Sequence, residues 1–314
     1  MGTVAWDRRS VLRLAAVGGL ATGLVGRAAL PAEAWGRTFD LDGPARTLYT
    51  GAELPSVTVQ QSISFDAAGD RLFVAQLRSG SPGAAGDLQI HEVTRNGAVL
   101  GTMTLLGHGH GVSFATETVR GRLLLWTEGD ARDNGYGTVL NRFTWHAGRT
   151  LERDDSRQQT FLPVPEGIEC TCDIDHRHRR MAVRYHTTAG KRIAIMDLDQ
   201  VARGEAPDRL ADFPQPEMGT FQGYALHGDD LYTIDGNNYS DTNPLPGNTY
   251  LSRIDWRTGE LQERVLNQTA AELEFREPEG IAIGGALSKR PRLYFGFASE
   301  GSGARRSNVF VLNR

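Results

Sequence analysis

Five polar residues, Gln61, His110, Glu169, Gln222 and Glu279, stand at the head of five look-alike stretches spread through the chain. If the fold brings them to one opening, two carboxylates, an imidazole and two amides share a confined space. Carboxylates held close together resist double ionisation, which raises one pKa and makes a proton-sharing, cation-binding or acid–base site physically reasonable. In a catalytic version His110 is the general base and Glu169 or Glu279 the acid or electrostatic partner, with Gln61 and Gln222 holding the ligand. In a structural version the same side chains only satisfy strand-end amides and hold channel water. A second layer of ligand-binding candidates falls at the ends of the strands that follow: Gln76, Glu128, Arg184, His186 and Asp235. The Arg184 guanidinium can grip a carboxylate or phosphate bidentately, or it can simply neutralise Glu169. Asn237 and Tyr239, in the Gly/Asn-rich loop 236–248, and Tyr136, in loop 129–137, offer polar contacts and a ring to stack on a ligand.

Other motifs are weaker. His108 and His110 have a spacing seen in metal sites, but no third ligand is identifiable, so no residue is assigned to a metal. The cofactor is left unassigned, with a divalent cation in a central channel as the one candidate. Asp130 to Gly135 resembles a calcium loop but places Arg132 where an acidic ligand belongs. The basic run His176 to Arg180 reads as a solvated turn between strands. Cys170 and Cys172, two apart in a strand, lie about 6.5–7 Å from each other on one face, too far for a relaxed disulfide, and are expected as buried free thiols. Trp126, Trp145 and Trp256 lie in strands and are expected in the core. No nucleophile elbow, phosphate loop or dinucleotide fingerprint occurs.

What positions the five polar residues is a repeat. Each is followed by a short strand, a turn and a second, apolar strand, as in Gln61-Ser-Ile-Ser-Phe then Arg71-Leu-Phe-Val-Ala, or Glu279-Gly-Ile-Ala-Ile then Arg292-Leu-Tyr-Phe-Gly. The period, roughly 50 to 60 residues, marks a propeller or an array of supersecondary units. Third strands follow at 87–93, 138–145, 192–198, 249–256 and 308–312, and fourth strands at 98–105, 160–164, 209–213 and 260–266. The fifth unit ends without its outer strand, while 46–49 supplies a spare one at the other end of the chain. The expected fold is therefore all-β: a five-bladed β-propeller with four-stranded blades, its ring closed by an N-terminal strand beside the C-terminal strand. A β-sandwich is the rival. Short helical turns are expected at 198–206 and 268–273. Small residues after the polar heads, Ser62, Gly111, Gly223 and Gly280, suit backbones crowded near an axis.

The chain has 314 residues, 39% of them hydrophobic and 23% charged, with a formal net charge of -4. That excludes a membrane-embedded or wholly disordered chain and argues against nucleic acid as partner, since phosphate binding needs a basic surface. Arg8 and Arg9 followed by the apolar run 14–25 read as a twin-arginine export signal, with Ala32-Glu33-Ala34 as the cleavage site. The expected organisation is a signal over 1–34 and one propeller over 35–314. The protein is expected to be secreted, exported folded, without a lipid or membrane anchor, and monomeric.

The repeat wording also carries a resemblance. The stretches Gln60-Gln-Ser62, Gly109-His-Gly111 followed by Leu125-Trp-Thr-Glu128, Phe221-Gln-Gly223 followed by Asp235-Gly-Asn237, and Glu277-Pro-Glu-Gly280 followed by Leu293 to Ser299 resemble the TagC-like β-propellers of phage receptor-binding proteins and of secreted actinobacterial proteins. The resemblance implies a five-bladed propeller associated with cell-wall glycopolymers such as teichoic acid. Three functions follow as expectations. The first is binding of an extracellular glycopolymer or acidic polysaccharide at the channel mouth. The second is a polysaccharide lyase or hydrolase with a His/Glu site. The third is a structural interaction propeller that uses its rim.

Overall fold

In a computed structural model that describes residues 38–312, the five expected units are five antiparallel sheets in chain order. The expected export signal and the boundary after residue 34 lie outside the described residues. Each sheet begins with an inner strand: Gln60–Phe65, Ala115–Val119, Glu169–Asp175, Phe221–His227 and Glu277–Gly284 for blades 1 to 5. Each inner strand touches those of the blades on either side, and blade 5 touches blade 1, so the ring is closed. Burial falls outward along each blade. The inner strand of blade 1 is buried throughout, whereas the outermost strand of blade 4, Glu260–Leu266, is exposed or half-buried along its length. An apolar run such as Leu72–Leu77 is buried on both faces because a neighbouring blade covers each. The core is accordingly split into five apolar clusters, one at each junction between neighbouring blades. A sandwich would have a single inter-sheet core.

Ring closure follows the expected route. Arg46–Ala52 pairs antiparallel with the last strand, Arg306–Leu312, in the register Arg46 to Val311 and Thr47 to Phe310. Tyr49 sits 3.0 Å from the Ser307 hydroxyl, and the Gly51 amide donates to Asn308 Oδ1 at 2.8 Å. Phe39 and Leu41, ahead of that strand, are buried against blades 4 and 5.

Four local expectations are corrected. The inner strand of blade 2 starts at Ala115 rather than His110, because the Glu128 carboxylate, not a neighbouring strand, takes the amide of Gly111 at 2.6 Å. Thr150–Leu151 leaves blade 2 and pairs parallel with the edge of blade 1, making that sheet five-stranded. Residues 268–273 form turns instead of helix, with Ala270 at a φ of 53°, while the helix Leu198–Ala202, capped by Asp197, ends before Gly204 at a φ of 72°. The basic turn after Asp175 is not merely solvated. From blade 3, Arg177 donates to the carbonyls of Ala286 and Ser288 in blade 5 at 3.3 and 2.9 Å. Arg179 donates to Glu117 in blade 2 at 2.8 Å, the Asp175 carboxylate accepts from Gly228 of blade 4 at 2.8 Å, and His176 lies in the field of Asp66 in blade 1. One turn of blade 3 thus bonds to blades 2, 4 and 5 at the far end of the axis.

The core expectations for Cys170, Cys172, Trp126 and Trp256 are met; the thiols are unbridged and buried. Trp145 is half-buried against the cluster between blades 1 and 2. No helix among the described residues is long and apolar enough to cross a membrane.

Candidate functional site

One residue beyond four of the five polar heads the chain segments pack closely on one another. A Cβ on Gly280 would meet Ser62 Cα at 2.7 Å, and one on Gly223 would meet Gly280 Cα at 3.2 Å. The Ser62 hydroxyl donates to the Gly111 carbonyl at 2.5 Å. These contacts place Gln61, His110, Gln222 and Glu279 each immediately before a backbone ring at the hub. Only small residues fit there, and a larger side chain at 280 would push blades 5 and 1 apart.

A cleft of about 470 Å³ opens beside this hub, between blades 2, 3 and 4. Its walls are Val112 and Tyr136 from blade 2, Glu169, Arg184, His186 and Lys191 from blade 3, and Gly219 to Phe221 leading into blade 4. Antiparallel register sets the blade 3 wall: Glu169 lies opposite His186, and His186 opposite Lys191 across the next hairpin. Glu169 is shared between His186 Nδ1 at 2.9 Å and the Asn134 amide, which donates at 2.6 Å. His186 Nε2 is buried and has no hydrogen-bond partner among the described residues. Arg184 is 8% exposed. Its Nε donates to Gln215 at 2.7 Å and its guanidinium lies 4.0 Å from the Phe221 ring centre. Among the described residues no carboxylate comes within ion-pair distance of it, so it does not neutralise Glu169. Burial lowers its pKa to about 10. Burial and Arg184 together also depress Lys191. A buried, unpaired guanidinium beside a second cation stores electrostatic cost that an anion would relieve.

Tyr136 overhangs the opening. Its ring stacks on His110 with centroids 4.7 Å apart and planes 15° from parallel. Its hydroxyl lies in the fields of Glu128, Glu169, Arg184 and Glu279, which joins blade 5 electrostatically to the cleft. His110 is depressed by burial. Glu128, fully buried, accepts the Gly111 and Gly137 amides at 2.6 and 2.7 Å, and burial pushes its pKa to about 7. Glu279 is 4% exposed; burial first, then Glu277, raises its pKa well above the ordinary value.

The remaining candidates are committed elsewhere. Asp235 is fully buried in a two-pronged pair with Arg264 at 2.6 and 2.7 Å and also accepts the Gly219 amide. Asn237 accepts from the Thr220 hydroxyl at 2.7 Å beside the cleft wall. The Tyr239 hydroxyl donates to the Ala271 carbonyl at 3.2 Å, in the turn segment 268–273. Gln76 is spent on the carbonyls of Ser56 and Thr58, and Gln222 donates to the Gly236 carbonyl at 3.2 Å. His108 turns away from His110, toward Gln158 and the Leu106 carbonyl. Among the described residues no group of three or more His, Cys, Asp or Glu is placed to hold a metal ion. Lys191 and Phe221 were missed by sequence reasoning. Lys191 was findable from hairpin register, as the partner of His186 across the turn at 187–190.

Fold and cleft together define a class: a five-bladed propeller that presents a charged cleft at one end of its axis. The chain belongs to the family described as the phage 5-bladed beta propeller receptor binding platform domain, which matches residues 59–311. It is 26% identical over 291 residues to the Bacillus subtilis (strain 168) protein named "Putative major teichoic acid biosynthesis protein C", covering 87% of this chain and 63% of that one. The tail fiber of Staphylococcus aureus phage P68 superposes with a TM-score of 0.73 at 18% identity, over 88% of this chain and 54% of that chain. The chain therefore spans less than two thirds of either protein.

Proposed function

We propose that the protein binds an anionic cell-wall glycopolymer of the teichoic-acid type, with a phosphate group of the polymer seated against Arg184 and Lys191. The observation that carries this reading is the buried Arg184 guanidinium, unpaired by any carboxylate among the described residues and opening on a cleft. A guanidinium holds phosphate bidentately, as it does carboxylate. Phe221 and Tyr136 add ring surface for an alditol or sugar, and the family and the name of the Bacillus subtilis relative support the same chemistry. Glu169, on the same wall, is held by His186 and Asn134. Titrating poly(glycerol phosphate) into the protein by calorimetry tests the reading. Arg184→Gln is expected to weaken binding roughly 30-fold or more, in line with about 2–5 kcal/mol for losing one partner of a desolvated charge pair. Undiminished binding by that variant overturns it. Phosphodiester fragments released in the same samples would instead give the Glu169–His186 pair a catalytic part.

We further propose that the protein acts outside the cytoplasm, delivered folded by the segment around Arg8 and Arg9. Replacing both arginines by lysine is expected to leave the protein inside the producing cell. Equal amounts in the culture medium would refute that.

A further inference from the structure

Phosphate binding at Arg184 and Lys191 leaves one part of the cleft unused, the pair of His186 with Glu169. His186 lies on the strand Arg180–Thr187, opposite Glu169, whose carboxylate is 2.9 Å from its Nδ1. An ionised carboxylate can only accept, so the ring proton sits on Nδ1 and Nε2 of the neutral imidazole carries the lone pair. The Asn134 amide donates to the other Glu169 oxygen at 2.6 Å, which fixes the carboxylate and through it the ring. Nε2 itself is buried without a partner among the described residues. A recess of about 10 Å³ shares Val112, Tyr136, Glu169, Arg184 and His186 with the 470 Å³ cleft. Its volume is about that of a single water or hydroxyl oxygen. His186 thus borders both a place for one oxygen and the cleft in which Arg184 and Lys191 meet a phosphate. His110, stacked on Tyr136, lines neither.

We propose that the cleft cleaves the phosphodiester it holds, with His186 as general base toward a hydroxyl of the same polymer unit. The proposal rests on the phosphate reading above and adds a reaction to it. In a glycerol phosphate polymer a hydroxyl sits on the carbon next to each ester carbon, so the attacking oxygen is already beside the phosphorus. His186 Nε2 takes the hydroxyl proton while that oxygen bonds to phosphorus and closes a five-membered cyclic phosphate. The bond from phosphorus to the next unit's oxygen breaks. The departing oxygen keeps the electron pair and takes a proton from the Lys191 ammonium, which solvent water restores as it removes the proton from His186. Arg184 stays charged and holds the non-bridging oxygens, where negative charge builds in the transition state. Glu169 is a positioning residue that fixes the tautomer and steadies the imidazolium as it forms. The groups around His186 are Arg184 on its own strand, Glu169 and Lys191 on the two adjoining strands, and Tyr136 and Glu128 from blade 2. Burial lowers its pKa, as do Arg184 and Lys191, while Glu169 raises it.

The test incubates the protein with poly(glycerol phosphate) and with poly(propane-1,3-diol phosphate), which has the same charge spacing but no hydroxyl, and reads products by phosphorus NMR and chain length. Expected are cyclic phosphate ends and shortened chains from the first polymer alone, while calorimetry shows the second bound but intact. His186→Gln is expected to cut the cleavage rate about 100-fold or more with binding of the hydroxyl-free polymer kept. The rate is expected to rise with pH through a midpoint below 6.5, as Nε2 loses its proton, and Glu169→Gln to move that midpoint further down. Binding without cleavage, cleavage that persists in His186→Gln, or equal cleavage of both polymers overturns the inference while leaving the phosphate reading standing. Failure of both polymers to bind overturns both. The comparison of polymers needs only the unaltered protein, so a poorly folding variant does not block the decision.

Discussion

Glu128 has a structural role that its sequence position does not announce. Its position invites a ligand-binding role, and its carboxylate also accepts the amides of Gly111, which lies outside any strand, and of Gly137, the first residue of the strand Gly137–Thr144. Burial nevertheless raises its pKa from 4.5 to about 7. For an acid raised in this way the folded state holds its proton longer than the unfolded state. There is no penalty below about pH 4.5, a growing one up to about pH 7, and the full one above. One pKa unit corresponds to about 1.4 kcal/mol, so the stability of the natural protein relative to Glu128→Gln is expected to fall by roughly 3 kcal/mol between pH 4.5 and pH 8. Urea melts of both proteins across that range measure it, and parallel curves would show that Glu128 titrates normally. The comparison with the variant is needed because His91, buried and lowered to about 4, contributes with the opposite sign, losing stability as the pH falls from 6.5. Arg184 was legible because its residue type narrows its chemistry. Asp235 was not, since nothing local in the sequence announces that Arg264 waits across two strands.

At the scale of elements, the strand Arg46–Ala52 closes the ring and covers an edge that would otherwise pair with another molecule. Deleting residues 38–52 removes that strand together with the buried Phe39, Leu41 and Tyr49. It is expected to cost on the order of 5 kcal/mol and to leave an aggregation-prone product. A monomer peak in size-exclusion chromatography with an unchanged melting temperature would contradict this. The strands were readable almost throughout because each second and third strand is an apolar run bounded by turn residues. The misreadings share one cause, a backbone satisfied by something outside its own hairpin. Blade 2 begins late because a side chain replaces the ladder, and Thr150–Leu151 pairs with the neighbouring blade. Residues 268–273 stay open in part because the Thr269 carbonyl serves Arg276. Local patterns carry no trace of such distant partners.

For the whole molecule, the repeat made the architecture legible, while the cleft depends on which blades contribute cations, a matter of five-fold symmetry broken residue by residue. The formal net charge of -4 repels a polyanion at long range, and attraction is confined to Arg184 and Lys191. A contact with a single phosphate predicts a log–log slope of affinity against salt of about -1, far shallower than for proteins that coat a polyanion. Calorimetry at increasing sodium chloride concentration gives the slope, and a value steeper than about -4 would require a binding surface well beyond the cleft. The turn of blade 3 bonded to blades 2, 4 and 5 also bears on how a polymer can enter. With that knot of arginine and carbonyl bonds beneath it, the hub is a cup with a floor rather than a pipe. A long chain cannot be threaded through; it must dip in a terminus or lie across the rim, and gripping strength should level off after a few monomers however long the chain grows.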